Sequence, residues 1–282
     1  MTAGTVRRVL MKKIDKTARD EVCIRRALTA QRFIPCFQPV HDAVTGKVVG
    51  AEMLARMGLP DGRLLSPATF FPYVMAAGKI TTMTQVLLDK TSDWMRTFNA
   101  KDPFTLSFNV LPDMSGEVWL KEACGKILNA SGSSVAVAIE LTECSPMTIP
   151  QQALRRSLSE FREVGVKIAL DDFGTGYSGH LRLQQTDADI IKIPREFIRG
   201  LPECRVSYGI IDSIMLLASR LDLRVIAEGV ETPSQVNDLL LMGVTNIQGF
   251  YYSEPLSGTI MNEYLKDYTS SNLYNAINKN SH

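Results

Sequence analysis

The sequence predicts an α/β protein, a TIM-like (β/α)8 barrel with one antiparallel strand. Three observations carry this reading. Short runs rich in Val, Ile and Phe alternate with longer helical patterns from about residue 30 onward. Several of those runs are continuously apolar, as strands covered on both faces are. The chain has 282 residues, 45% of them hydrophobic, a normal size and composition for one such barrel. An open doubly wound sheet is the alternative arrangement.

The elements follow in order. Ile34–Val40 and Val48–Arg56 read as strands separated only by His41–Lys47, with Thr45-Gly46 as the turn. So short a connection suits a hairpin rather than a crossover, which sets the first strand antiparallel to the others. Thr82–Asn99 places Met83, Val86, Leu87, Trp94 and Phe98 at three- and four-residue steps, a helical pattern. Phe104–Val110 and Ser134–Glu143 are the next strands. Pro150–Val164 opens with proline, a good first-turn residue, and reads as a helix. The remaining strands are Val166–Asp172, Asp189–Ile193, Arg224–Gly229 and Asn246–Tyr252. Helices Tyr208–Leu221 and Pro233–Met242 lie among them, the latter stopped at Met242-Gly243. Residues 1–30 form a basic, helical extension (Arg7, Arg8, Lys12, Lys13, Lys16, Arg19), 31–268 one domain, and 269–282 a polar tail.

Composition excludes several functions. A net charge of +1 gives no field for nucleic acid. No apolar run approaches the ~20 residues of a membrane span, and the N-terminus lacks the apolar stretch of a secretory signal. The 5 cysteines (Cys23, Cys36, Cys124, Cys144, Cys204) are scattered without a C-x-x-C pair, which indicates free thiols in a reducing cytoplasm. With only 3 histidines, one of them terminal, a histidine metal site or a Ser-His-Asp triad is disfavoured.

Polar residues recur near the C-terminal ends of the strands, where a barrel keeps its chemistry. They are Glu52, Asn109, Glu140, Asp171-Asp172, Lys192, Glu228 and Gln248. Acids, amides and a lysine inside apolar strands cost several kcal/mol each if buried unpaired. Any one of them alone reads as a buried ion pair; jointly they read as a divalent-metal centre. Asp171-Asp172 is followed by Gly174, Gly176 and Gly179, which also spell G-x-G-x-x-G. A dinucleotide loop fits poorly, because these glycines fall past mid-chain, behind two aspartates. They let the chain turn sharply beside the carboxylates. Carboxylates with a lysine and no histidine suit Mg²⁺ or Mn²⁺ and phosphate ester chemistry, with two ions activating a water. Asp171 is the natural shared ligand. Lys192 would hold the water or offset developing charge. Arg56 shares a face with Glu52 by period-two geometry and could clamp a phosphate.

At these residues the chain resembles the EAL-domain family of bacterial cyclic di-GMP phosphodiesterases, over about residues 30–260. The signals are Gln38-Pro39, Glu52-Met53-Leu54-Ala55-Arg56, Asn109, Glu140-Leu141-Thr142-Glu143, Asp171–Ser178, Lys192-Ile193, Ala227–Thr232 and Gln248-Gly249 with Pro255-Leu256. The resemblance implies hydrolysis of cyclic di-GMP to linear pGpG, lowering the messenger that favours biofilm over motility. It implies two Mg²⁺ or Mn²⁺ ions on Glu52, Asn109, Glu140, Asp171, Asp172 and Glu228, with Ca²⁺ inhibitory. Glu52, Lys192 and Glu228 would be catalytic; Arg56, Gln38 and Gln248 would sit on the substrate side. Glu143 would brace the loop that carries Gly174 and Gly176, and Glu231 would give support from behind. That loop and its adjacent helix would form a homodimer interface, and residues 1–30 could take a protein partner.

Two positions depart from the family pattern. Met53 replaces the usual alanine of E-A-L but points away from the face of Glu52. Pro194 follows Lys192-Ile193 where the family usually has aspartate, so an acid near the site is lost. The alternative function is therefore a degenerate EAL domain that binds cyclic di-GMP or a regulatory protein without hydrolysis.

Overall fold

The computed structural model describes residues 21–98, 102–142, 149–176 and 179–269. They fall into two compact units: Ala55–Lys90 with the residues up to Pro35, and Cys36–Leu54 with the residues from Thr91 onward. Strand β1 (Phe33–Asp42) turns back into β2 (Val48–Gly58) through Gly46, whose φ of 72° and N–H bond to Asp42 close the predicted hairpin.

The smaller unit contains a helical segment at 21–29, strand β3 (Leu64–Leu65), helix α1 (Pro67–Ala76) and the first turns of α2 (Ile80–Met95). β3 pairs antiparallel with the end of β2, Met57 opposite Leu65. Phe33 and Phe70 meet at 6.4 Å in its core, and Lys90 caps the backbone carbonyl of Phe33 at 2.7 Å.

The larger unit is the barrel. β4 (Phe104–Asn109), α3 (Val118–Ser131), β5 (Val135–Thr142), α4 (Gln151–Glu163), β6 (Val166–Asp171), α5 (Gly179–Thr186) and β7 (Ile190–Ile193) follow in turn. Then come α6 (Arg195–Ile198), α7 (Arg205–Leu221), β8 (Arg224–Ala227), α8 (Pro233–Leu241), β9 (Asn246–Gln248), β10 (Leu256–Ser257) and α9 (Gly258–Thr269). The strands run in the order β1-β9-β8-β7-β6-β5-β4-β2, and β1–β2 pairing closes the ring. β2, β4, β5, β6, β7, β8 and β9 are parallel neighbours, while β1 is antiparallel to β9. Among the described residues this is a closed eight-stranded barrel with one antiparallel strand, as predicted.

The interior is filled, not hollow. Val40, Ala138, Ala169, Ile190 and Ile226 form one apolar layer across five strands. A residual cavity of about 10 Å³ there has room for a single water at most. The outer faces of the strands meet the helices: Leu154, Leu158 and Phe161 of α4 are fully buried. α8 carries a complete capping box, Thr232 with Gln235, just after its strand. Among the described residues no helix is long and apolar enough to cross a membrane.

Several predicted boundaries shift. The last strand stops at Gln248 rather than Tyr252, because Tyr252 and Ser253 both turn back to bond the carbonyl of Gly249. The strand expected over Arg224–Gly229 ends at Ala227, and Gly229 takes a φ of 66°. The second predicted helix spans Ile80–Met95 rather than Thr82–Asn99, and Asn99 lies outside the described residues.

Candidate active site

The apolar layer of the barrel places the site. Side chains two positions apart on a strand share a face. Ala138 therefore precedes Glu140, Ala169 precedes Asp171, Ile190 precedes Lys192 and Ile226 precedes Glu228, all on the inner face. One step above the apolar floor, toward the strand C-termini, the interior turns polar. Gly50 precedes Glu52 in the same way; a side chain at 50 would meet the Thr105 carbonyl at 2.5 Å.

Lys192 is the centre of this layer. Its ammonium lies 3.0 Å from Glu52, 2.8 Å from Glu140, 3.7 Å from Asp171 and 2.5 Å from Glu228. The lysine is 1% exposed, so these carboxylates, not water, solvate it. Burial disfavours its charge, but the surrounding acids outweigh that and hold its pKa well above the usual lysine value. Glu52 is also opposed by burial, yet Lys192 and a hydrogen bond from Gln248 bring its pKa below normal. Glu140 goes the other way. Burial first, then repulsion from Glu52, push its pKa up to about 8 despite Lys192. Burial likewise raises Glu228 well above the usual carboxylate value, aided by repulsion from Asp171.

Amides tie the acids together. Asn109 Nδ2 donates to Glu52 at 2.9 Å and to Glu140 at 3.3 Å. Gln248 Nε2 donates to Glu52 at 2.8 Å and to Gln38 Oε1 at 3.1 Å, while Gln38 Nε2 bonds the carbonyl of Ser253. Gln38 thus lies behind Gln248, which lies against Glu52.

Asp171, Asp172 and Glu228 each present an oxygen within 4.8 Å of the others. Asp172 sits at φ 55°, a left-handed conformation that bulky L-residues avoid and that recurs at functional sites. Burial raises its pKa to about 6, with repulsion from Asp171 and then Glu196. The following loop passes over α6: Phe173 N–H bonds the carbonyl of Lys192, and Gly174 (φ 92°) leaves room for the Phe197 ring. Gly176 lies farther along this loop. Glu231 ion-pairs with Arg195, and its N–H is bound by Gln235.

Glu52, Asn109, Glu140, Asp171, Asp172, Lys192, Glu228, Gln248 and Gln38 therefore converge as one connected group. Arg56 belongs to the smaller unit, where its guanidinium bonds the carbonyl of Ala55. Glu143 lies outside the described residues. Pro194 is buried and caps α6. Arg195 and Glu196, whose positions matter here, were not singled out from the sequence; an acid in the first turn after Pro194 is the only signal they leave.

A profile of the family described as EAL domain matches residues 22–255. The chain belongs to the EAL domain family. This EAL domain is 33% identical over 238 residues to the cyclic di-GMP phosphodiesterase PdeL of Escherichia coli K12, covering 83% of the chain and 66% of PdeL. It is 32% identical to the probable cyclic di-GMP phosphodiesterase PdeG of the same strain, covering 88% of the chain and 50% of PdeG. It spans less than two thirds of either relative. Among solved structures it superposes on the PaMucR phosphodiesterase in complex with c-di-GMP with a TM-score of 0.73 and 29% identity, covering 84% of this chain and 97% of that one.

The EAL site has the donor set for a divalent cation. Its donors are hard oxygens, and among the described residues Glu140 Oε1 is a fully buried acceptor with no hydrogen-bond partner. Burial first, and then repulsion among the acids, raises the carboxyl pKa values of Glu140, Asp172 and Glu228, so the buried carboxylates favour a cation that would share their charge.

Proposed function

We propose that this EAL domain is a phosphodiesterase that hydrolyses cyclic di-GMP to linear pGpG with Mg²⁺ or Mn²⁺. The observation that carries the proposal is the convergence of Glu52, Glu140 and Asp171, from three strands, and Glu228, just past the end of a fourth, on one buried lysine. The names of PdeL and of the PaMucR complex support the substrate. Two ions would be held, one by Glu52, Asn109, Glu140 and Asp171, the other by Asp171, Asp172 and Glu228. Bound there, they supply Lewis acidity at the phosphoryl group and a more acidic water.

The chain's own residues do the rest. Lys192, kept cationic by its neighbours, places fixed positive charge where phosphoryl oxygens gain negative charge. Glu228, whose carboxyl pKa burial holds above its usual value, is suited to accept a proton at its carboxylate. Gln38 positions Gln248, and Gln248 holds Glu52 in its ionised form. Glu231, through Arg195, steadies the loop after Glu228. Ca²⁺, with a larger and looser shell, would bind without turnover. Exposed Leu181 on α5 suits a homodimer contact beside the Asp172 loop.

The test is pGpG formation by the purified protein in Mg²⁺ and in Mn²⁺, beside Glu52→Ala. We expect turnover that the variant reduces roughly 100-fold or more. Equal turnover in both proteins overturns the proposal. Pro194 favours one second reading, a receptor; tight cyclic di-GMP binding with metal present and no pGpG would establish it.

A further inference from the structure

We propose that the cleft at the opposite mouth of the barrel, by the N-terminal ends of the strands, binds a nucleoside phosphate; the inference is independent of the metal-dependent reading above. The strand alternation that builds the candidate site also builds this one. Lys167 precedes Ala169 by two residues, as Ala188 precedes Ile190 and Arg224 precedes Ile226, so all three continue the inner face on the far side of the apolar layer. Arg224 spans this mouth: its Nη1 donates to Thr105 Oγ1 at 3.0 Å, on β4, the strand opposite β8 in the ring. Ala188 is small, and beside it, between the two long cations, opens a cleft of about 550 Å³, within the range of small-molecule sites. Arg162, Asp187, Asp189, Leu221 and Asp222 help to form its walls.

Three cations and three carboxylates therefore surround one space, yet among the described residues no ion pair joins any of them. Arg162 instead donates to the carbonyls of Thr186, at 3.0 Å, and of Asp187, while Asp189 accepts the N–H of Ile168 at 2.8 Å. The ammonium of half-buried Lys167 has no partner among the described residues, and Arg224 keeps donors beyond the one given to Thr105. Positive charge is thus held toward the barrel axis. The outer rim is negative: Asp187 and Asp222 are exposed and follow the last turns of α5 and α7, with left-handed φ of 52° and 56°. Helix C-termini favour positive charge and N–H donors there. A bare anion would gain little, because the opposed charges around it largely cancel. A ligand that uses both sides carries an anionic group at one end and N–H donors at the other, with a body between them that covers Leu221, which is 50% exposed. A nucleoside phosphate has those parts in that order.

The experiment is calorimetry on the full chain in EDTA, which keeps divalent ions from the other mouth, with GMP, AMP, guanosine and inorganic phosphate as probes. It compares wild type with Lys167→Ala and Asp222→Asn. Lys167 has no partner to lose, and asparagine tolerates the left-handed conformation at 222, so both variants should fold, as their melting curves check. We expect at least one nucleotide to bind with a Kd of about 1 mM or tighter. Lys167→Ala should weaken it roughly tenfold or more, the loss of a charge-assisted bond to phosphate. Asp222→Asn should weaken the nucleotide and leave inorganic phosphate unchanged. Phosphate and guanosine alone should each bind more weakly than the nucleotide that contains them. Three results overturn the inference: no nucleotide binding at that concentration, binding that Lys167→Ala leaves intact, or binding that cyclic di-GMP displaces, which places it at the other mouth. Phosphate as tight as either nucleotide also overturns it, leaving a plain anion site.

Discussion

Glu140 is fully buried, bonds Lys192 and Asn109 through one oxygen, and titrates near 8 because burial and Glu52 oppose its charge. Asp172 titrates near 6 for similar reasons. A cation binds the deprotonated carboxylates, so binding displaces whatever protons these groups hold. As pH rises from 6 to 8, Asp172 and then Glu140 shed theirs, and affinity must rise. We expect Mn²⁺ affinity to increase over that window by up to about tenfold per pH unit for each proton displaced. Calorimetry at pH 6, 7 and 8 in buffers of different ionisation enthalpy checks both slope and proton count; a flat profile contradicts the assignment. These residues were legible in the sequence because each interrupts an apolar strand, two positions from a small or branched neighbour. Glu196 and Arg195 were not, since a four-residue helix has no periodicity to read.

At the scale of elements, the turn after β9 decides where Gln248 points. Gly249 packs against the backbone of Val230 so closely that an added Cβ would lie 2.0 Å from its oxygen and 2.3 Å from its nitrogen. Backbone cannot swing aside as a side-chain tip can. Gly249→Ala should therefore cost roughly 2–4 kcal/mol, read from urea unfolding, and should misplace Gln248. Unfolding indistinguishable from wild type would contradict the tight contact. The eight barrel strands were legible because continuous apolar runs are what a two-sided burial demands. Their ends were less so, since Gly229 and Gly249 break the extended conformation before the apolar run itself finishes. Helix α1 escaped notice because Pro72 and its aromatic neighbours read as irregular chain, while β3 and β10 are too short to show a pattern.

At the scale of the whole molecule, clustered acids are a cost of the folded state that the unfolded chain does not bear. A divalent ion bound only by the folded state stabilises it by mass action, about 2.7 kcal/mol at 100 times Kd. For a chain of this length that corresponds to roughly 5 °C or more in Tm. Mn²⁺ should raise Tm accordingly, EDTA should reverse the rise, and Glu52→Ala should blunt it. A Tm indifferent to Mn²⁺ would mean the barrel mouth holds no ion at these concentrations.

Lys192 gives that barrel mouth a built-in counterion. It arrives with the polypeptide, needs no supply from solution, and with a proton on Glu140 it offsets the acids while the strands come together. If the site takes metal ions, as proposed, assembly of the scaffold and their acquisition would become separate events in time. On the metal-dependent reading proposed above, a newly made chain would close its barrel in metal-poor surroundings and wait, folded and silent, until ions arrive to set it working.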